Sequence, residues 1–563
     1  MTMGVFAELC SSLPYGATVY IRYAIVDKAV VSTLPLVELH LYMMSIPTSP
    51  QQTENERSKR TPFLILHRDE EPPISRLSHD ILWHIFHHST IIDADFLASE
   101  ISPERSLITA RHASQVCAGW RSLMLSSPSL WANIINLTHL DQENDNWRAE
   151  ILKRTGNSLL SIIGNAGEGR PAAEFFLSLL GDHWLRFRRI YIRIGFPADI
   201  EDKRWRSIQR PAPNLEILHI NFPSPPQAFS TIDDTLFSND APSLHTLTTY
   251  AINFKISGSW LSGLRRLQIF DCSVGQAIIF ALAEMSVLEF LDMTDVDIVD
   301  IHAEDRSWPM ITLPKLKKLC LKVKFRTLIV MIGHLNPTLG CESRYESSDV
   351  TISPLTTEDL FLLRRGWTAH FQCLSNYSPI DTISWAMIED FIELGNAVKW
   401  SCDATFFFHV EVGQGERHGI HDIILHCLLN SCDFSAVTTV ELDISPGGLE
   451  LSKLRFAALC RSLSSVVTMH TESHTMEVLL QLCVELNGEI LFPSLETIIF
   501  DTDVELKCDA IMRFLLHRLN AGIPITDFDL SDCTSPNQDR LLFLEGINGL
   551  DVVWNEEIRN RME

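Results

Sequence analysis

The sequence predicts an α/β repeat protein, in which a short set of three helices precedes an irregular solenoid. At 563 residues the chain is too long for one compact core. Apolar residues recur at helical spacing between residues 77 and 131. From residue 187 onward, a short strand motif returns about every 20 to 30 residues. These three observations together indicate helices followed by a repeat array.

Composition restricts the kinds of partner. The net charge of −25 at pH 7 disfavours nucleic acid and membrane surfaces, so we expect neither as a partner. The 13 cysteines show no paired spacing, and no apolar run is long enough to cross a membrane. We therefore expect an intracellular protein of the cytoplasm or nucleus. Residues 1–71 show no sustained period and are expected to be a disordered segment and linker.

Three helices are predicted within residues 72–134. Ser78 can cap the first helix, and an apolar face follows on it. A second helix is predicted from Leu107 to Met124, where apolar residues recur at three and four residue steps. The pair Ser127-Pro128 suits the start of a third, shorter helix.

The order and spacing of these elements resemble the F-box, in the long-spacer form of fungal F-box proteins that carry leucine-rich repeats. The resemblance implies docking onto the Skp-type adaptor of a cullin-RING ubiquitin ligase. The matching positions for that contact are Leu77, Ile81, Leu82, Ile85 and Phe86, with Val116, Trp120 and Trp131 supporting or extending it. Ser78 departs from the pattern, because the family usually has proline there.

Residues 135–563 are predicted to form the repeat array, with an irregular stretch at about 340–430. The strand motif begins at Phe187, Leu215, Leu244, Leu264, Leu288, Leu316, Val437, Val466, Leu495 and Ile525. A period in the twenties with this motif is typical of leucine-rich repeats, which form a horseshoe-shaped solenoid. The alternative is an ordinary α/β sheet with alternating strands and helices. Within the irregular stretch we expect strands at 367–374 and 405–412 and a helix at 385–394.

Side chains alternate across a strand, so the third, fifth and seventh motif positions should point away from the core. These positions are basic in the early strands and acidic in the late ones, which predicts a target with complementary charge. The alternative is that they only carry solubilising charge. The residues predicted to bind the target are Arg189, Arg193, Arg266, Phe270, Lys318, Lys322, Asp443, Asp501 and Asp527.

The sequence predicts no catalytic residue, no metal ligand and no cofactor. The side chains of Ser78, His79 and Asp80 diverge by about 100° each on a helix and cannot form a relay. The cluster His418, His421, His426, Cys427 and Cys432 lacks the repeated spacing of a zinc site. We expect a non-enzymatic substrate-recognition subunit of an SCF-type ubiquitin ligase, with a protein target of unknown identity. One alternative is an interaction scaffold outside the ligase, in which the F-box-like helices only cap the array. An α/β hydrolase or transferase has no constellation in its favour.

Overall fold

The structure is a computed structural model, and it divides the chain into two compact units: residues 1–91 with 108–130, and residues 92–107 with 131–563. The residues that it describes are 77–90, 106–166, 171–195, 202–224, 226–299, 308–347, 355–377, 379–388, 391–397, 405–411, 417–445, 453–500, 506–531 and 538–555. Residues 1–71 lie outside these ranges. The predicted domain boundaries therefore stay predictions.

Four helices, not three, occupy the described residues between 77 and 134. The Ser78 hydroxyl accepts a hydrogen bond from the backbone N–H of Ile81 at 3.4 Å and so caps the first helix, as predicted. The predicted second helix is interrupted at Cys117, whose backbone is extended and whose sulfur accepts a hydrogen bond from the N–H of Trp120. The helices are α1 (His79–Thr90), α2 (Ser106–Val116), α3 (Ala118–Leu125) and α4 (Pro128–Ala132).

A single sheet of 18 strands dominates the second unit. Most neighbouring strands are parallel. Each strand from β2 to β5 pairs with the next along the chain, and β6 pairs with β8. The early strands are β1 (Ile135–Asn136), β2 (Leu160–Ala166), β3 (Phe187–Ile194), β4 (Ile217–Asn221), β5 (Thr246–Tyr250), β6 (Arg266–Phe270), β7 (Ser273–Gly275), β8 (Phe290–Val299) and β10 (Lys318–Val323). The later strands are β12 (Glu342–Ser347), β13 (Thr382–Met387), β14 (Phe391–Gly395), β15 (Phe406–Glu411), β16 (Thr439–Ile444), β17 (Thr468–Thr471), β18 (Thr497–Phe500), β19 (Asp527–Leu530) and β20 (Asp551–Trp554). A separate parallel pair joins β9 (Ile311–Thr312) to β11 (Leu335–Asn336).

The sheet departs from chain order in its middle. After β10 the spatial order is β12, β15, β14, β13 and β16, and β14 runs antiparallel to both of its neighbours. Strand β14 therefore runs opposite to the parallel strands on either side of it, with β15 and β12 on one side and β13 and β16 on the other. Regular order resumes from β16 to β20, again with parallel pairs.

The remaining helices follow individual strands along the chain. In the second unit they are α5 (Asn146–Arg154), α6 (Pro171–Asp182), α7 (Ala277–Glu284), α8 (Phe325–His334), α9 (Thr357–Tyr377), α10 (Arg417–Ser431), α11 (Lys453–Ser462), α12 (Ser473–Glu485) and α13 (Cys508–Asn520). Short 3-10 helices stand at Lys203–Gln209, Gln227–Phe229, Phe237–Asn239 and Ser259–Gly263 between the early strands. No helix among the described residues is both long and apolar enough to span a membrane.

Apolar rows across the strands form the core. Parallel register places one aliphatic side chain of each early strand beside the next, and all of them are 0–1% exposed: Ile190, Leu218, Leu247, Leu267, Leu291 and Leu319. Burial on one side of the sheet requires this alternation, which the strand motif in the sequence reflects.

The predicted fold class, a short three-helix F-box followed by an irregular leucine-rich-repeat solenoid in a horseshoe, is wrong. The described residues form an α/β fold on one large, mostly parallel sheet that does not close, since β1 pairs only with β2 and β20 only with β19. The motif located the strands, but any sheet with one buried face selects the same apolar alternation, whether or not the strands form a solenoid. The alternative of an α/β sheet with alternating strands and helices describes the chain better.

Two predictions in the irregular stretch are also wrong. Residues 367–374 belong to α9, where Leu363, Trp367 and Phe371 are buried at helical spacing. Residues 385–394, predicted as a helix, span the antiparallel strands β13 and β14. The predicted strand at 405–412 is confirmed as β15.

Candidate interaction surfaces

Parallel register lines up the side chains that alternate with the buried apolar rows. We call the side of the sheet that carries them the polar face. Its front part comprises Arg189, Tyr191, Arg193, Ile217, His219, Asn221, Thr246, Thr248, Tyr250, Arg266, Gln268, Phe270, Phe290, Asp292, Thr294, Lys318, Cys320 and Lys322. Its rear part lies on β16 to β19. All the predicted target-binding residues within the described ranges belong to these two parts.

Four rings form a continuous series across the front part, which we call the aromatic ladder: Tyr191, His219, Tyr250 and Phe270. Ring centroids are 6.1 Å apart from Tyr191 to His219 and 6.0 Å from His219 to Tyr250. The rings of Tyr250 and Phe270 stack at 4.1 Å with 11° between their planes. Burial lowers the pKa of His219 to about 4, so this ring is neutral at pH 7.

Arginine side chains flank the ladder. The guanidinium of Arg266 lies 4.4 Å from the ring centre of Phe290, which is a cation–π contact. Arg189 is half-buried and lies 3.5 Å from the carboxylate of Glu216, whereas Arg193 is exposed. The front part therefore combines flat rings with arginine side chains, and the predicted target binding by Arg266 and Phe270 stays a prediction.

The two lysines of the front part contact acidic side chains of the same sheet. Lys318 lies 3.4 Å from Glu342, and Lys322 lies 3.8 Å from Asp295. Both pairs are exposed, so each stabilises the fold by about 1 kcal/mol at most. The positive charge of the lysines is thus partly balanced locally. The predicted contrast between a basic front and an acidic rear stays a prediction.

The rear part carries the predicted acidic residues. Asp443 is half-buried, and its carboxylate lies 2.9 Å from Nε2 of His474. The other ring nitrogen of His474 lies 3.3 Å from the carboxylate of Glu472. Asp527 is exposed and accepts a hydrogen bond from the neighbouring threonine. Asp501 lies outside the described residues.

The predicted adaptor-binding residues of α1 are divided between two environments. Ile81 is 46% exposed, whereas Leu82 and Phe86 are buried at 5% and 3%. Leu77 and Ile85 are half-buried. One side of α1 thus stabilises its own unit and the other offers apolar surface.

The residues predicted to support or extend the adaptor contact are also divided between exposed and buried positions. Val116, at the end of α2, is 62% exposed. The ring of Trp120 packs edge-on against Phe86 at 4.8 Å. Trp131 is fully buried in the second unit, where the guanidinium of Arg154 lies 4.5 Å from its ring centre. Trp131 therefore serves the core and is not available for an adaptor contact.

No family model matches the sequence, and a search of curated proteins gave no match. The resemblance to the F-box therefore rests on the residues between Leu77 and Trp131 alone.

The sequence analysis did not predict a binding role for most of the aromatic ladder or for His474. His219 and Tyr250 are half-buried, whereas Tyr191 is only 6% exposed and packs in a buried cluster with Ile163 and Ile217. Only Phe270 of the ladder was predicted to bind a target. The signal was present, since aromatic residues at matching motif positions become neighbours in parallel register. His474 gave no signal, because it lies on α12 and its acidic neighbours are 31 and 2 residues away.

Proposed function

We propose that the chain is a non-catalytic substrate-recognition subunit of an SCF-type ubiquitin ligase. In this proposal α1 binds the Skp-type adaptor, and the polar face of the sheet binds the target protein. The observation that carries the target-binding half is the aromatic ladder beside Arg266 and Arg193. The transfer chemistry belongs to other subunits of the ligase.

The composition of the polar face favours protein recognition. Tyrosine, phenylalanine and arginine are enriched where proteins bind one another, because they bring large contact area and directed polar groups together. Parallel strands hold Tyr250 and Phe270 in a fixed stack, so little side-chain entropy is lost when a partner covers them. The surface is broad, and the strands that carry it are anchored by the buried aliphatic row.

The adaptor-binding half rests on the resemblance of residues 77–131 to the F-box and on the exposed apolar side of α1. A hydrophobic side chain at the surface of a short helix is the feature that a partner can cover. Ile81 is such a side chain. Leu82 and Phe86 are needed for packing, so changing them would test stability together with binding.

The experiment is a pull-down of the purified full-length chain with the Skp-type adaptor. Wild type is compared with Ile81→Asp and with Ile108→Asp, a matched control that alters a 37% exposed isoleucine on α2 of the same unit. We expect wild type and the control to retain the adaptor and Ile81→Asp to lose it, with all three giving the same circular dichroism spectrum. Folded wild type that does not retain the adaptor would contradict the proposal.

A second candidate is an interaction scaffold that never joins a ligase. The burial of Leu82 and Phe86 favours it, because these residues then act only in packing their own unit. The scaffold keeps the polar face as its binding surface. The pull-down separates the two, since a scaffold does not retain the adaptor.

A further inference from the structure

Three side chains of the kinds that bind metal ions converge in the rear part of the polar face. They are Asp443 at the end of β16, Glu472 directly after β17, and His474 in the first turn of α12. One ligand atom of each lies within 4.8 Å of those of the other two. Each side chain is 17–21% exposed, so the group is accessible from solvent without lying flat on the surface.

The fold brings these residues together through strand register. Leu442 of β16 pairs with Thr471 of β17, so the next residues along the chain, Asp443 and Glu472, lie side by side. Helix α12 begins immediately after Glu472 and turns His474 back toward both carboxylates.

Hydrogen bonds fix the start of α12. The Thr475 hydroxyl accepts a hydrogen bond from the backbone N–H of Ile444 at 2.9 Å, which ties the helix to the end of β16. The fully buried Ser473 hydroxyl accepts one from the N–H of Lys507 at 2.9 Å. The backbone on both sides of the group is therefore held before any ligand binds, which lowers the cost of ordering a site.

The chemistry of the group suits a cation. A neutral imidazole offers one nitrogen lone pair to a metal ion, and the two carboxylates that contact it offer oxygen ligands. Imidazole nitrogen and carboxylate oxygen are together the donor set for zinc and related divalent ions, and three protein ligands leave a further coordination position open. The N-terminus of α12 disfavours a cation, but two carboxylates carry more opposite charge than the helix end.

We propose that Asp443, Glu472 and His474 form a binding site for a divalent transition-metal ion such as Zn²⁺. The inference is independent of adaptor binding. All three side chains are partly exposed, so water or a side chain of a bound protein can complete the coordination.

The test is calorimetric titration of ZnCl₂ into the chelator-treated full-length chain at pH 7.5. Wild type is compared with His474→Ala and with Asp443→Asn, which keeps the size of the side chain. The matched control is His409→Ala, because His409 lies 3.2 Å from Glu393 on the same sheet and is similarly exposed. The control matters because other histidines and cysteines of the chain also attract zinc.

We expect wild type and His409→Ala to bind the same number of ions, and His474→Ala to bind one fewer per chain. Asp443→Asn should weaken the same binding event while leaving the circular dichroism spectrum unchanged. Equal stoichiometry and affinity in wild type, His474→Ala and Asp443→Asn would overturn the proposal. Asp443→Asn keeps the test decisive if His474→Ala fails to fold.

Discussion

Buried arginine acts in this protein as a connector between backbone segments. Arg518 on α13 is 2% exposed and donates hydrogen bonds to three carbonyl oxygens at 3.0–3.1 Å, those of Leu491, Phe492 and Leu495. These carbonyls belong to the segment before β18, and the carbonyl of Phe492 also accepts a hydrogen bond from the backbone N–H of Leu495. Arg518 thus fixes the helix to the loop that leads into the next strand.

Replacing Arg518 by methionine should lower the free energy of unfolding by about 2–4 kcal/mol, because buried carbonyl oxygens lose their donors. Arg513→Met is the matched control on the same helix. Arg513 is 63% exposed and lies 3.6 Å from Glu477, so its loss should cost about 1 kcal/mol or less. Urea denaturation of the three proteins measures both values. Equal stability of the two variants would contradict this role for Arg518.

The burial of His370 predicts that the protein loses stability in acid. Its ring is 3% exposed and its Nδ1 lies 2.7 Å from the hydroxyl of Tyr345, a hydrogen bond inside the core. Burial lowers the pKa of His370 from an ordinary 6.5 to about 4. The unfolded chain therefore binds a proton at a pH where the folded chain does not. The stability that this group supports is complete above pH 6.5 and is lost as the pH falls toward 4.

The measurement is the free energy of unfolding at pH 7 and pH 5, for wild type and His370→Gln. One histidine with this pKa shift lowers the free energy of unfolding by roughly 2 kcal/mol between pH 7 and pH 5. The variant should therefore lose less stability than wild type over this interval, even though it starts from a lower value at pH 7. An identical loss in both proteins would show that His370 does not titrate in this way.

Helices α8 and α9 approach each other closely at Gly366 of α9. A Cβ atom on Gly366 would lie 2.8 Å from the carbonyl carbon and oxygen of Ile332, so alanine does not fit there without moving backbone. Gly366→Ala should lower stability by about 1–3 kcal/mol. In contrast, a Cβ on Gly181 of α6 would meet only the side chain of Arg204 at 3.7 Å. Gly181→Ala should be neutral or stabilise by up to about 1 kcal/mol. Thermal unfolding distinguishes them, and a stable Gly366→Ala would contradict the close approach.

The aromatic ladder gives the strands of the front part their proposed binding role. Changing Tyr250 and Phe270 together to serine removes the stacked pair, and we expect target capture from cell extract to be lost. Phe280→Ser is the control, because Phe280 is a 45% exposed ring on α7 and not on the polar face. Quantitative mass spectrometry of the captured proteins measures the difference. Proteins lost with both variants do not support the ladder, and an unchanged set with the double variant would contradict it.

Single elements could be predicted from sequence where one local cause determines them. Ser78 caps α1 because a hydroxyl before an apolar helix satisfies a free N–H, and the early strands follow from alternating burial. The break between helices α2 and α3 could not be predicted, because it depends on one extended residue, Cys117, inside an otherwise helical pattern. The prediction of a helix at residues 385–394, which include most of β14, was wrong for a different reason. The apolar residues of β14 fit a helix equally well, and antiparallel pairing with the preceding strand β13 and the following strand β15 decided the outcome.

At the scale of the whole molecule, the sequence led to the wrong fold class because strand pairing order is not local information. Residues between Leu316 and Val437 contain β12 to β15, whose spatial order differs from their chain order. No single motif in this stretch shows which strand comes next in the sheet. The polar face was predicted in part, because alternation gives its side chains and parallel register gives their neighbours. The Asp443, Glu472 and His474 group was not, since it requires the position of α12 relative to two strand ends.

The proposed role of this chain as the receptor of a ligase can be tested on the assembled complex. The most direct measurement is size-exclusion chromatography with light scattering on the full-length chain mixed with a preassembled complex of Skp-type adaptor and cullin. We expect wild type to elute with the complex in one peak of the summed mass. Ile81→Asp should elute separately from the complex, and Ile108→Asp should still elute with it. Separate elution of folded wild type and the complex would contradict the account and leave the scaffold as the better description.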